Sequence, residues 1–335
     1  MSAVVLIGML CLAPGAGADG TIGGVAATTR ILSLDDLIQR YATPASKFVD
    51  LDGIRVHYQD EGHGPAVLLV HGTLGDLRDW DPWAKTMKDR YRVIRLDLPG
   101  FGLSGEVPNG NYSIDRMLSL IDSLMDQLQQ DNFAIVGISY GGPIAFRYAA
   151  TRKSRVTALV LINSAGIESG RAIKDDKPGE AARKPRNDIF TGPVVTTEDI
   201  VRFYSAYVSD VKQLPEGFIQ RKVDLLNMRG RDEIGRRIMA LYERGNPQRV
   251  LAHVSAPSLV LWGTDNYALG NQVAKEFAAA LTGACRVDVE FLESGGHYIN
   301  VARPLETVKV TMGFLEKSRE EPKCSAQRGC LGRGK

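Results

Sequence analysis

The chain has 335 residues, enough for one large α/β domain or two smaller ones. Hydrophobic residues make up 44% and charged residues 24%, the balance of a soluble globular protein with a sizeable core. A formal net charge of +2 points to no polyanionic partner, which sets nucleic acid aside, and the four cysteines lack metal-ligand spacing with the five histidines.

The first residues read as a targeting segment, placed at 1–18. Residues 4–13 are a short apolar run, and Ala16-Gly17-Ala18 offers the small residues a signal peptidase needs. The run is too short to span a bilayer unaided, and no Lys or Arg precedes it. Export or membrane association through this segment is one reading; a buried N-terminal segment or a misassigned start is the other. In an exported chain Cys324 and Cys330 could close a small loop in the polar, Gly-rich tail 318–335.

Further along, Lys47–Leu51 and residues 54–59 predict a hairpin around Asp52-Gly53. The run Ala66–Val70 (AVLLV) is apolar throughout, as a strand buried on both faces should be. A helix is expected over 77–90 and a strand over 91–96. Residues 113–130 carry Ile114, Met117, Leu118, Ile121, Leu124, Met125 and Leu128 at helical spacing, with Ser113 placed to cap the start. Strands follow at Phe133–Ile138 and Val156–Ile162, with a helix at Gly141–Thr151 between them. This alternation predicts an α/β fold, a mostly parallel doubly wound sheet with helices on both faces.

From about 167 to 250 no strand candidate appears. A polar, charged stretch over 171–187 is followed by amphipathic helices near 198–209, 216–227 and 232–244. Strands then resume at 258–262 and 286–292, with helices at 271–281 and 304–316. The expected organisation is a core over 46–166 and 251–317, interrupted by a helical cap at 167–250 over the carboxyl ends of the strands, where open α/β sheets bind ligands.

The stretch Ile135 to Gly142, IVGISYGG, places a serine between glycines where an apolar strand runs into a helix. Gly-x-Ser-x-Gly alone is a weak signal, but this strand–turn–helix setting forces a serine into strained geometry with its hydroxyl exposed. Ser139 is the candidate nucleophile, and the helix N-terminus behind it favours negative charge. His297, in ESGGHY after the last strand, is the candidate base. After AVLLV, Gly72 lets the chain turn so that the amides of Thr73 and Tyr140 can face one oxyanion, on the order of 3 kcal/mol per donor. His71 is read as a buried imidazole bracing that loop.

HGTLGD, DLPGFGLS, GISYGG, WGTD and SGGHY, in this order and spacing, resemble the α/β-hydrolase fold superfamily over about residues 46–317. The resemblance implies a triad in chain order serine, acid, histidine, with no metal or organic cofactor. Asp97, in the turn after its strand, is read as structural. In many relatives the acid falls three residues after the glycine of the Trp-Gly pair, which here is Asn266. Asn can orient an imidazole but supplies no charge, so the acid is assigned one residue earlier, to Asp265, with Glu168 as a weak reserve beyond Asn163 and Ser164.

Relatives that attack with aspartate, the haloalkane dehalogenases and epoxide hydrolases, do not fit Ser139. Acyl transfer to serine followed by water does. The apolar side chains of the cap, Phe203, Tyr204, Tyr207, Phe218, Leu225, Leu226, Met228, Ile238, Met239, Leu241 and Tyr242, imply a moderately apolar small-molecule ester. A carboxylic ester hydrolase of the esterase or lipase type is therefore the leading expectation. The alternatives are a C–C hydrolase of the meta-cleavage-product type, disfavoured by a glycine-poor HGTLGD loop, and a non-catalytic binding protein on the same fold.

Overall fold

The computed structural model describes residues 31–167, 189–192, 194–240 and 246–320. Its first helix, α1 (Leu34–Tyr41), starts at a reciprocal capping box between Ser33 and Asp36. No helix is expected over this segment, although Leu34, Leu37, Ile38 and Tyr41 stand at helical spacing, with Leu37 buried and the other three partly buried against the core. Asp52 and Gly53, with φ of 53° and 77°, fold β1 (Lys47–Leu51) onto β2 (Ile54–Gly62), the expected hairpin. β3 (Ala66–Val70) is buried at every position. The single helix expected over 77–90 is instead a 3-10 turn, Leu77–Trp80, capped by Asp76, followed by α2 (Asp81–Met87), whose first turn takes Pro82.

Next come β4 (Arg92–Leu96), α3 (Ile114–Gln127) capped by Ser113, β5 (Phe133–Ile138), α4 (Gly141–Thr151) and β6 (Val156–Ile162). Between β6 and β7 (Ser258–Gly263) lie α5 (Thr197–Tyr207), α6 (Phe218–Leu226), α7 (Arg231–Ala240) and α8 (Pro247–Leu251). The chain closes with α9 (Asn271–Ala280), β8 (Val287–Leu292), α10 (Ile299–Ala302) and α11 (Pro304–Glu320). α11 continues past the expected start of the tail at 318, with Lys317 and Arg319 in its last turn where cations complement the helix dipole.

The eight strands are ordered β1-β2-β4-β3-β5-β6-β7-β8, antiparallel at β1–β2 and β2–β4 and parallel from there on, as the sequence predicts. β3 to β4 steps one way and β4 to β5 steps back across it. Right-handed crossovers then put α2 on one face and α3, α4 and α9 on the other. Contacts agree: α2 packs on α11, whereas α3, α4, α8 and α9 touch in succession. The direction of travel reverses between β3 and β5, so the crevice of this sheet opens at their carboxyl ends.

Residues before the expected core boundary are tied to the inserted helices. The Leu32 N–H donates to the Asn227 carbonyl, and the Tyr41 hydroxyl donates to Asp224 on α6 at 2.6 Å. Among the described residues no helix is long and apolar enough to cross a membrane. Cys285 is disulfide-bonded. Cys11, Cys324, Cys330, Glu168 and the segment at 1–18 lie outside the described residues.

Candidate active site

β5 delivers Ser139 to the switch point in a left-handed conformation, φ 50°. A non-glycine residue there is strained, and its neighbours hold it in place. The Ser139 N–H donates to Ile162 O at 3.1 Å, and its carbonyl accepts from Gly142 and Ala165. Two glycines are required by the close approach of strand and helix. A Cβ at 137 would overlap the Gly141 carbonyl, and one at 142 would overlap the Ser164 hydroxyl.

His297 is presented by the loop after β8. Its Nε2 lies 2.9 Å from Ser139 Oγ, and both residues are buried. The backbone N–H of His297 donates to the Tyr207 carbonyl at the end of α5, so an inserted helix helps fix the imidazole. Burial lowers the His297 pKa to about 4, leaving the ring neutral near pH 7.

The structure does not bring Asp265 to this imidazole. His297 Nδ1 instead lies 3.0 Å from Asn266 Oδ1. The Asp265 N–H is held by Gly295 O at 2.8 Å and the Asn266 N–H by Gly263 O at 3.1 Å. These two bonds fix the turn after β7 so that residue 266 faces inward, and the one-residue shift expected from the sequence does not occur. Asn266 is 1% exposed, whereas the half-buried Asp265 carboxylate makes no hydrogen bond or ion pair with a described residue. Asn163, the first residue after β6, continues the network: its Oδ1 accepts from the Gly263 N–H and from Asn266 Nδ2, both at 3.0 Å.

Thr73, Ser139 and Tyr140 share one cavity of about 200 Å³, together with Phe101, Ala165, Phe190, Ile238 and Met239. The loop carrying Thr73 runs against the elbow, since a Cβ on Gly72 would stand 3.0 Å from that of Ser139. His71 accepts at Nε2 from the Leu98 N–H and meets Gly72 O through Nδ1, which makes it a brace. Asp97 accepts from the backbone of Leu77 and Leu103, a structural placement.

Of the apolar side chains expected to face the substrate, Ile238 and Met239 line the cavity. Phe203, Tyr204, Tyr207 and Phe218 stack among themselves and with Tyr298. Leu241 and Tyr242 lie outside the described residues. Sequence reading missed Phe101 and Phe190, whose rings stack at 5.3 Å. Phe101 had a signal, since it is flanked by Gly100 and Gly102, both at positive φ.

A second polar cluster ties the loop after β3 to α6. Lys222 Nζ lies 2.7 Å from Asp76 and from Asp79, and Arg221 reaches the same two carboxylates at 3.1 Å. Burial pushes the Asp76 carboxyl up, but the two cations prevail and hold it far below the usual carboxylate range. Among the described residues, no group of three or more His, Cys, Asp or Glu side chains could hold a metal ion.

A strained buried serine, a neutral imidazole at hydrogen-bond distance and a cavity shared with two backbone turns can support proton removal and attack on a carbonyl carbon. The chain is similar to known hydrolases. The chain is 24% identical over 288 residues to a 2-hydroxy-6-oxononadienedioate/2-hydroxy-6-oxononatrienedioate hydrolase of Klebsiella pneumoniae, covering 82% of this chain and 96% of the relative. A relative of the same name from Cupriavidus pinatubonensis is 27% identical, over 71% of this chain and 85% of its own. Among solved structures, a bacterial membrane phospholipase A described as a virulence factor superposes with a TM-score of 0.71 at 25% identity, covering 82% and 87% of the two chains. The family model of the alpha/beta hydrolase fold matches residues 65–304, and the chain belongs to that family.

Proposed function

We propose that this chain is a serine-nucleophile hydrolase in which Ser139 attacks a carbonyl carbon, His297 takes the hydroxyl proton, and the amides of Thr73 and Tyr140 receive the oxyanion. The observation that carries this reading is the 2.9 Å approach of His297 Nε2 to Ser139 Oγ inside the cavity at the switch point. For the bond cleaved, the relatives favour a carbon–carbon bond of the meta-cleavage-product type over the ester expected from the sequence. One cation in the inserted helices suits such an acidic substrate. Arg202, Arg221, Arg236 and Arg237 are engaged by carboxylates, whereas the buried Arg231 has no carboxylate partner among the described residues and its Nε is unbonded. It shares the buried face of α7 with Ile238, which lines the cavity.

Carboxylic ester hydrolysis is the second reading, supported by the apolar cavity walls and the likeness to a phospholipase A. In both readings the inserted helices act as a cap over a small-molecule substrate. The proposal includes export, with residues 1–18 as leader or membrane contact; the apolar run at 4–13 and the disulfide at Cys285 support it.

A vinylogous 1,5-diketone with a terminal carboxylate, assayed beside p-nitrophenyl esters of rising acyl length, separates the two bonds. Turnover of the diketone with weak esterase activity is expected. Ester turnover alone would move the assignment to the second reading. Either activity surviving in Ser139→Ala would end the serine mechanism.

A further inference from the structure

The network behind His297 contains no charge, and its hydrogen bonds can be oriented one by one. Asn163 Nδ2 points at two backbone carbonyls, Gly296 O at 3.0 Å and His297 O at 2.7 Å, and so must be the donating end of that amide. Its Oδ1 faces the Gly263 N–H, which only an acceptor can satisfy. With Asn163 fixed, the Asn266 atom 3.0 Å from Asn163 Oδ1 must be its NH2 group, because two carbonyl oxygens there would repel. Asn266 Oδ1 is then left facing His297 Nδ1. An acceptor at Nδ1 requires a proton on Nδ1, which leaves the lone pair of Nε2 towards the Ser139 hydroxyl.

We infer that Asn163 is a positioning residue that acts through Asn266 to hold His297 in its Nδ1–H tautomer, a neutral amide relay standing where an acid is expected. This rests on Ser139 being the nucleophile, and on nothing about which bond is cleaved. A carboxylate needs no such orientation, since both its oxygens accept. An amide has one correct face and one that inverts the tautomer. Asn163 is thus needed because residue 266 is Asn.

The full chain, labelled with 15N-histidine and reacted with a fluorophosphonate, tests the relay without any substrate. In that reaction Ser139 Oγ bonds phosphorus, its proton passes to His297 Nε2, and fluoride leaves. Before that reaction, the wild type should show a protonated His297 Nδ1 and an unprotonated Nε2. Asn163→Ala should lose that signature and label about tenfold or more slowly. Adding Asn266→Asp to Asn163→Ala should restore both the Nδ1–H signature and most of the rate. If Asn163→Ala keeps the wild-type tautomer and rate, the relay is wrong. A double variant as slow as Asn163→Ala also overturns it, because Asn163 would then only brace the His297 loop through the two carbonyls. Should Asn163→Ala fail to fold, Asn266→Ala carries the test: loss of the tautomer supports the relay and its retention overturns it. Failure of every candidate substrate, with labelling intact, would strike the proposed reaction and leave the relay standing.

Discussion

Asp76, Asp79, Arg221 and Lys222 are buried between the loop after β3 and α6, while Asn163, Asn266 and His297 are buried among the carboxyl ends of β6, β7 and β8. Both clusters lie beside the cavity-lining loops, and both remove polar groups from water. The first does so with two acidic and two basic side chains, whose desolvation is offset only while all partners are present. The second carries no net charge, so each member needs one correctly oriented neighbour. Charge compensation suits a joint between layers, where strong attraction tolerates small displacements. Orientation suits the proposed base, where the location of one proton would decide whether Ser139 is activated.

The largest effect that separates the two clusters comes from removing one charge. Lys222→Met leaves Asp76 and Asp79 against Arg221 alone, and a destabilisation of about 3–5 kcal/mol is expected by urea unfolding. Replacing Asp79 by Asn in the same chain should recover part of that loss, since fewer uncompensated charges stay buried. A loss under about 1 kcal/mol for Lys222→Met would mean that the joint does not depend on its charges.

Acid sharpens the contrast, because the two clusters titrate in different windows. His297 is neutral when folded, its pKa lowered by burial from 6.5 to about 4. Between these values the unfolded chain binds a proton that the folded chain refuses, so stability falls as pH drops from about 6.5 to about 4 and levels off below. The loss is on the order of 3 kcal/mol. His71, also pushed down by burial, adds a loss of the same sign below about pH 6.5. The Asp76 contribution has the opposite origin: its carboxyl is held low in the fold, so that stability is intact above about pH 4 and lost only in stronger acid. Urea midpoints measured from pH 7 to pH 3 should show the first slope, and His297→Gln should reduce it. Fluorophosphonate labelling should hold its neutral rate down to about pH 5, since the His297 imidazole, the proposed base, is still unprotonated there.

Much of this architecture was legible from local pattern. AVLLV and FAIVGI read as strands because parallel strands buried on both faces are apolar throughout, and Ser139 stood out because glycines bracket it where strand meets helix. The third partner of the imidazole was not legible. Whether residue 265 or 266 faces inward is decided by a bond from Asp265 to Gly295, some 30 residues away, and no propensity reports it. The joint of Asp76 with Lys222 spans a separation of 146 residues, and as sequence it looks like ordinary surface charge. Phe190 reaches the cavity from a short stretch between two segments outside the described residues, where no periodicity marks it.

Tyr298 joins the two regions and gives the smallest expected effect. Its ring lies 4.9 Å from that of His297 and 5.1 Å from that of Tyr204, and its hydroxyl donates to the Thr73 carbonyl at 3.3 Å. That long bond links the loop of the base to the loop of the proposed oxyanion donor. Tyr298→Phe keeps the ring contacts and removes only the hydroxyl, so stability should fall by about 1 kcal/mol. If the bond merely fills space, labelling of Ser139 should be unchanged. If it aligns the Thr73 amide with the elbow, labelling should slow a few-fold while the His297 tautomer stays as in the wild type. That dissociation of rate from tautomer would place the alignment of the oxyanion loop outside the amide relay, in the bond from the Tyr298 hydroxyl to the Thr73 carbonyl.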